Sequence, residues 1–305
     1  MTTGSSRDRK GPMRPGARCW RVVAAVMLAA ALSHATKQVT ITVQDLPQQT
    51  FKGFGSNSHA DPEEMPEHVK EKLVTVLWID LDFTAMRFAR VYHKWSIPYI
   101  LADFEENIKL KQRLYAEHGK DSLILLFNPT GTTDNTEQWT EDIVNIIDSL
   151  NAHGIRCDYT GVGNEPNQHE HEWAAPIRPQ DFPAIINGVR QKLDARGFSD
   201  IKIIAPEASN VDDYYWQSIE AIVSDEECVN NLDGFAFHSY NMSMIQPTWE
   251  WLREYGKELW QTESSHFTID EHFNDSMVAA EMSAMFLADM NFGCERWLYW
   301  IDAGP

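Results

Sequence analysis

Two glutamates at the ends of apolar segments are the residues best suited to chemistry in this chain. Glu165 lies in Gly161-Val162-Gly163-Asn164-Glu165-Pro166-Asn167, and Glu263 lies in Leu259-Trp260-Gln261-Thr262-Glu263-Ser264-Ser265. A carboxyl group at the carboxyl end of a buried parallel strand is held rigidly at the mouth of a sheet or barrel, where such folds place their reactive groups. Two of them can share acid/base and nucleophilic work on a glycosidic bond. One protonates the leaving oxygen while the other attacks the anomeric carbon, with about 5 to 5.5 Å between carboxyl groups; a wider gap admits water and implies inversion.

Further residues cluster around this pair in the strand pattern. Asn164, beside the expected acid, could hydrogen-bond a sugar 2-hydroxyl. Arg87, near the end of the second strand, would bring a fixed positive charge that favours an ionised Glu263. His238 could bind substrate, and Tyr240 could orient the Glu263 carboxylate. Glu165 would have to start protonated, its pKa raised by the charged nucleophile and lowered again once the glycosyl-enzyme forms. Tyr299 and Trp300 alternate faces on the last strand, and Trp300 is the one expected to offer a platform to a sugar.

Each residue has a structural alternative. Asn164-Glu165-Pro166 also reads as a helix cap followed by a first-turn acid and proline. Arg87 could bridge barrel strands, and His238 could be a satisfied core residue. His238 and Tyr240, lying between the two strand-end glutamates in chain order, favour the catalytic reading. His169-Glu170-His171-Glu172 lacks the spacing that puts two ligands on one helix face, so a solvated loop is expected there and no metal site. Asp61, Glu63 and Glu64 read as acids in a first helical turn. No cofactor is expected: Gly53-Phe54-Gly55 is too short for a dinucleotide-binding turn, and its glycines fit close packing at the first strand.

Positioning these residues requires repeated strands and helices. Eight strand candidates are Phe51 to Ser56, Phe83 to Arg90, Ser122 to Asn128, Cys157 to Asn164, Ile201 to Ala208, Gly234 to Tyr240, Leu259 to Glu263 and Arg296 to Asp302. Helical periodicity fills the intervals, as over Asn135 to Leu150 and Phe182 to Leu193. Strict alternation calls for a parallel sheet, open and doubly wound or closed; eight strands favour the closed α/β architecture, a (β/α)8 TIM barrel. The expected organisation is a signal peptide over 1–35, an N-terminal edge strand within 36–46 and a catalytic barrel over 47–305. With no eighth helix before Pro305, the barrel wall is expected to be open and C-terminally incomplete. The strand Val39 to Val43 would belong to a side β-sandwich.

Composition bounds the setting. Basic residues Arg7 to Arg21 precede the apolar run Val22 to Leu32 and then Ser33-His34-Ala35, the pattern of a cleaved secretory signal. A run this short falls well below the roughly 20 residues of a membrane span. Removing 1–35 moves the net charge from −19 to −24. That charge argues against nucleic-acid and anionic-membrane partners and fits a neutral substrate. The secreted protein could carry a glycan at Asn241 or, away from the active face, Asn274. Cys157, Cys228 and Cys294 allow at most one disulfide.

The strand-four Asn164-Glu165-Pro166, the strand-six His238-Ser239-Tyr240 and the strand-seven Glu263 together resemble clan A glycoside hydrolases. With Phe51-Lys52-Gly53-Phe54-Gly55, Gly154-Ile155 and Asp233 to Tyr240, the chain is most similar to glycoside hydrolase family 30. That resemblance implies retaining cleavage of a β-linked glycan or glycoside, with Glu165 as acid/base and Glu263 as nucleophile. Which sugar, and endo or exo action, stays open, with a lean toward an endo-β-galactanase-like member from Trp260-Gln261-Thr262-Glu263. The competing reading is a carbohydrate-binding barrel that keeps the glutamates without turnover.

Overall fold

The computed structural model describes residues 50–57, 66–91, 97–131, 134–171, 173–240, 250–265 and 275–300. Its strands are β1 (Gly53–Asn57), β2 (Ala85–Val91), β3 (Ile124–Thr130), β4 (Tyr159–Gly161), β5 (Lys202–Ala208), β6 (Gly234–His238), β7 (Glu258–Ser264) and β8 (Arg296–Tyr299). They form a closed barrel in sequence order, every neighbouring pair parallel. The ring of strands closes where β1 pairs with β8, from Gly53 opposite Arg296 to Ser56 opposite Tyr299. Gly55 makes the tight approach to β2 feasible, since a Cβ there would lie 2.1 Å from the Ala85 carbonyl oxygen.

Seven helices are described: α1 (Glu67–Val74, continued by a π-helical turn, Thr75–Asp80), α2 (Ile97–Glu117), α3 (Thr136–Ala152), α4 (Phe182–Ala195), α5 (Asp213–Val223), α6 (Glu226–Asn231) and α7 (Asp275–Asn291). Side-chain caps define several starts. Asn135 accepts from the Gln138 N–H at 3.1 Å before α3, and Asp212 from the Tyr215 N–H at 3.1 Å before α5. The buried face of α3 carries Trp139, Ile143, Val144, Ile147 and Leu150, in one core cluster with Phe88, Leu125, Phe127, Phe235 and Phe237 from the strands. Each such side chain contributes roughly 1.5–3 kcal/mol by leaving water.

Inside the barrel a separate cluster takes one residue from each of six consecutive strands: Leu126, Tyr159, Ile204, Ala236, Trp260 and Leu298. This plug makes the barrel a packed core. Because strand side chains repeat every second residue, the inward positions two residues further on rise above the plug toward the C-terminal mouth. They are Asn128, His238 and Thr262. Register shifts near Pro206, His238 and Gln261 add Glu207 and Glu263 to the same level.

One local expectation fails. Asn164-Glu165-Pro166 does not open a helix; turns follow β4, and α4 begins only after a 3-10 turn over Pro179–Asp181. The backbone is committed sideways instead. The Asn164 N–H donates to Pro129 O at 2.9 Å, the Glu165 N–H to Glu207 O at 3.0 Å, and the Ala175 N–H to Asn164 O at 2.7 Å. Glu165 also has a left-handed φ of 41°, outside the helical region.

The signal segment, the strand Val39 to Val43, Asp61, Glu63, Glu64, Asn241 and Asn274 lie outside the described residues. Cys157, Cys228 and Cys294 are buried free thiols. No described helix is long and apolar enough to cross a membrane.

Candidate active site

The barrel brings Glu165, just past β4, and Glu263, on β7, to one mouth. Glu165 Oε1 lies 3.0 Å from His238 Nδ1, and Glu263 Oε1 lies 3.8 Å from the same nitrogen. One ligand atom from each of these three residues falls within 4.8 Å of the others. The 98-residue separation in sequence has become proximity at one barrel mouth.

Arg87 is the centre of the polar network. Its side chain has 0% exposure, and its guanidinium donates to Glu263 Oε2 at 2.9 Å, Glu207 Oε2 at 3.1 Å and Asn164 Oδ1 at 2.6 Å, with Asn57 Oδ1 as a further acceptor. It therefore serves both as the positive charge beside Glu263 and as a bridge among β1, β2, β5 and β7. Tyr240 donates its hydroxyl to Glu263 Oε1 at 3.0 Å, the orienting contact anticipated for it. Burial, reinforced by the charge of Glu263, pushes the Tyr240 pKa up, so the phenol remains a neutral donor.

His238 is fully buried, with Nδ1 facing Glu165 and Nε2 3.4 Å from Glu207 Oε2. Burial disfavours an imidazolium, but Glu263, Glu165 and Glu207 outweigh it and hold the pKa up at about 9. Both ring nitrogens then carry protons and donate to carboxylates. Arg87 Nη2 approaches His238 Nε2 to 3.4 Å, and Glu207 Oε2, 3.1 Å from the first and 3.4 Å from the second, is the anion that both cations share.

Glu165 behaves differently from the sequence expectation. Burial favours its neutral form, yet the His238 hydrogen bond and charge, the Trp173 N–H and Arg87 together hold its pKa below the ordinary carboxylate value. A bonded imidazolium, with the Trp173 N–H and Arg87, outweighs burial. Asn164 is also more committed than expected: Oδ1 accepts from Arg87 and from Asn128 at 3.2 Å, and Nδ2 donates to the Trp173 carbonyl at 2.9 Å. Trp300 lies one residue past β8, partly buried, with its backbone N–H donating to Ser264 O at 2.9 Å. It continues the inward parity of Leu298, as the platform reading requires.

Glu207, Asn57, Asn128, Thr262 and Trp173 escaped the sequence reading. Glu207 is the penultimate residue of β5, so the strand-end rule that nominates Glu165 and Glu263 applies equally to Ile203-Ile204-Ala205-Pro206-Glu207. Its Oε2 accepts from Arg87, Asn128 at 3.1 Å and Thr262 at 3.0 Å. Burial opposes its charge, but Arg87, His238 and Thr262 prevail and its pKa is lowered. Glu207 also has a left-handed φ of 63°, so two of the three acids carry strained backbone, as functional sites often do. Trp173 had no signal in the sequence beyond its type.

Glu165, His238 and Glu263 could in principle ligate a metal ion at this spacing. The donor set fits poorly, because both imidazole nitrogens face carboxylates and Arg87 already balances Glu263. His169, Glu170 and His171 are exposed on the loop after β4, as expected for a solvated segment.

Residues 122–298, more than half of the chain, match the family model of glycosyl hydrolase family 59. The chain belongs to glycosyl hydrolase family 59. The clan A resemblance read from the motifs therefore holds, and the likeness to family 30 reappears among solved structures. SrfJ from Salmonella typhimurium superposes with a TM-score of 0.69 at 17% identity, covering 83% of this chain and 65% of that one. Xyn30A, a glycoside hydrolase family 30 subfamily 8 xylanase from Clostridium acetobutylicum, gives 0.64 at 18% identity, with 84% and 66% covered. An endo-β-1,6-glucanase gives 0.65 at 18%, with 83% and 66% covered. At these identities the likeness is one of fold, and the chain spans just under two thirds of the length of these structures. A search of curated proteins found no match. The strand Val39 to Val43 assigned to a side β-sandwich lies outside the described residues, whose strands all belong to the barrel.

Proposed function

We propose that this family 59 chain is a retaining β-glycoside hydrolase in which Glu263 is the nucleophile and Glu165 the acid/base. The observation that carries the reading is the approach of the two carboxylates around His238, with one oxygen of each inside a 4.8 Å set. Retaining enzymes hold the two carboxyl groups about 5–5.5 Å apart and inverting ones roughly 6.5–9.5 Å, and a nearest oxygen-to-oxygen approach within 4.8 Å is compatible with the shorter spacing.

With Glu165 held ionised and His238 protonated at rest, the acid's proton has to come from His238. Glu165 and His238 hold one proton between them across 3.0 Å. A neutral sugar entering the mouth displaces water, and passage of the Nδ1 proton to Glu165 Oε1 yields a neutral pair and a carboxylic acid. Glu165 then protonates the glycosidic oxygen, the C1–O bond breaks, and a Glu263 oxygen bonds to C1. In the second half-reaction Glu165 takes a proton from water, whose oxygen attacks C1 and releases Glu263. Arg87 and Tyr240 keep the attacking carboxylate in one orientation, and the remaining Asn164 amide hydrogen can meet a sugar hydroxyl.

The substrate proposed is a β-linked oligo- or polysaccharide, neutral in keeping with the chain's net charge of −19. Secretion is proposed from the amino-terminal pattern; sequencing the mature amino terminus tests it, with cleavage after Ala35 expected.

Against a panel of β-glycosides, Glu263→Gln should abolish turnover, while Glu165→Gln should slow poor leaving groups most. Normal hydrolysis by both variants would defeat the assignment. Sugar binding without turnover by the unaltered chain would instead support the non-catalytic barrel.

A further inference from the structure

Asp289, on α7, is a buried acid that the mechanism above does not use. Its side chain has 0% exposure, and its carboxyl accepts from Ser239 Oγ at 2.8 Å and from the Trp297 indole N–H at 2.9 Å. Both donors are neutral, so burial prevails and pushes its pKa up to about 7. An uncharged side chain would burden the fold less, since burying an acid without a cation costs stability.

Asp289 spans the two strands that flank the one carrying Glu263. Ser239 follows the end of β6 and Trp297 lies on β8, with β7 between them. On both sides β7 carries an extra residue. As β6 advances from Phe237 to His238, its partner on β7 advances from Gln261 to Glu263; as β8 advances from Trp297 to Tyr299, the partner advances from Gln261 to Ser264. A bulge of this kind interrupts the ladder, so regular strand pairing alone does not fix the Glu263 backbone. Ser239 adds the constraint. Its N–H donates to Glu263 O at 3.1 Å, its carbonyl accepts from Ser264 Oγ at 3.4 Å, and the next residue, Tyr240, donates to Glu263 Oε1 at 3.0 Å. The Ser239 side chain is held in turn by Asp289.

We propose that Asp289 is a positioning residue for the nucleophile, acting through Ser239 to hold the bulge of β7 and aim the Glu263 carboxylate at C1. The proposal rests on the reading of Glu263 as nucleophile. The role needs hydrogen bonds and not charge. An amide at position 289 can accept from Trp297 with Oδ1 and donate with Nδ2 to the Ser239 hydroxyl, which both donates and accepts. A methyl group there can do neither.

The test uses the full chain and the 2,4-dinitrophenyl 2-deoxy-2-fluoro-β-glycosides of galactose, glucose and xylose. A Glu263 oxygen bonds to C1 as the C1–O bond breaks and dinitrophenolate leaves without needing an acid. The fluorine disfavours the oxocarbenium-like transition state of the water step, so the glycosyl-enzyme accumulates and the labelled residue is read by peptide mass. Asp289→Ala should lower the first-order labelling rate by about ten- to a hundredfold, the scale of a displaced reacting group, with the half-saturating reagent concentration little changed. Asp289→Asn should keep most of the rate and melt no lower than the unaltered chain. Ser239→Ala should match Asp289→Ala, and the double variant should be no slower than either, because the two residues act in series.

A merely structural carboxyl would lower Tm without changing the labelling rate of the folded protein, and that result overturns the proposal. So does Asp289→Asn failing as badly as Asp289→Ala, or Ser239→Ala labelling normally. Failure of the nucleophile assignment reads out separately, as a label on a residue other than Glu263. In that case, or if the unaltered chain takes no label, NMR titration of the His238 imidazole decides. Burial lowers its pKa, and Glu263 is the foremost of the charges that hold it up at about 9. A lower midpoint in Asp289→Ala supports the clamp on Glu263, and an unchanged one removes it.

Discussion

The buried His238 couples the site to pH in a way that can be measured without any substrate. Its pKa rises from the ordinary 6.5 to about 9 on folding, because three carboxylates outweigh the effect of burial. A group whose folded pKa is raised contributes stability that is fully present below the unfolded pKa and is lost as pH rises through the folded one. The full contribution is about 3 kcal/mol, and about 2 kcal/mol of it disappears between pH 7 and pH 9. Other buried groups leave that window nearly clear. Asp289, raised from 3.8 to about 7, loses its contribution below it, and Cys157 and Cys228, raised from 9.0 to about 12, act above it. Glu165 and Glu207, both lowered from 4.5, act on the acid side. Melting followed by circular dichroism should therefore show Tm falling by about 4–8 °C across the window for a barrel of this size. His238→Gln should melt lower at neutral pH, with a much flatter curve over the same range. If the unaltered chain and His238→Gln give parallel curves there, the imidazolium assignment is wrong.

Two other changes probe the network around it. Arg87→Met leaves Glu207 and Glu263 without their shared cation and should destabilise the barrel by about 3–5 kcal/mol in urea unfolding, together with loss of activity. Adding Glu207→Gln should restore part of that stability but no activity; no recovery would mean that the two residues are not energetically coupled. Gly161→Ala places a Cβ 2.3 Å from Asn128 Oδ1 and 3.6 Å from the Glu207 side chain, so it should displace Asn128 and cost about 1–3 kcal/mol by overpacking. Unchanged thermal stability in that variant would show that the mouth is looser than described.

The strand and helix order was readable because each strand is an apolar run bounded by polar turns and each helix buries a face of regular period. All eight strands lie where the pattern places them, with β4 reduced to Tyr159–Gly161. The cap reading of Asn164-Glu165-Pro166 failed because β3 and β5 supply partners for the Asn164 and Glu165 N–H groups, and a local pattern cannot show such partners. Glu207 was missed despite its strand-end position, since it lacks a flanking motif. Its importance comes from Arg87, Asn128, His238 and Thr262 converging on one oxygen.

By itself the sequence determined the parallel alternation, the two strand-end glutamates and the company of Arg87, His238 and Tyr240, because these follow from residue type, period and order along one chain. Barrel closure decided the rest. Only the pairing of β1 with β8 and the register shifts in β5 to β7 set which side chains meet. The protonation of Glu165 depends on a histidine 73 residues away, placed 3.0 Å from it by the fold. Charge interactions depend on distance through space and on burial, and neither quantity is written in the order of residues.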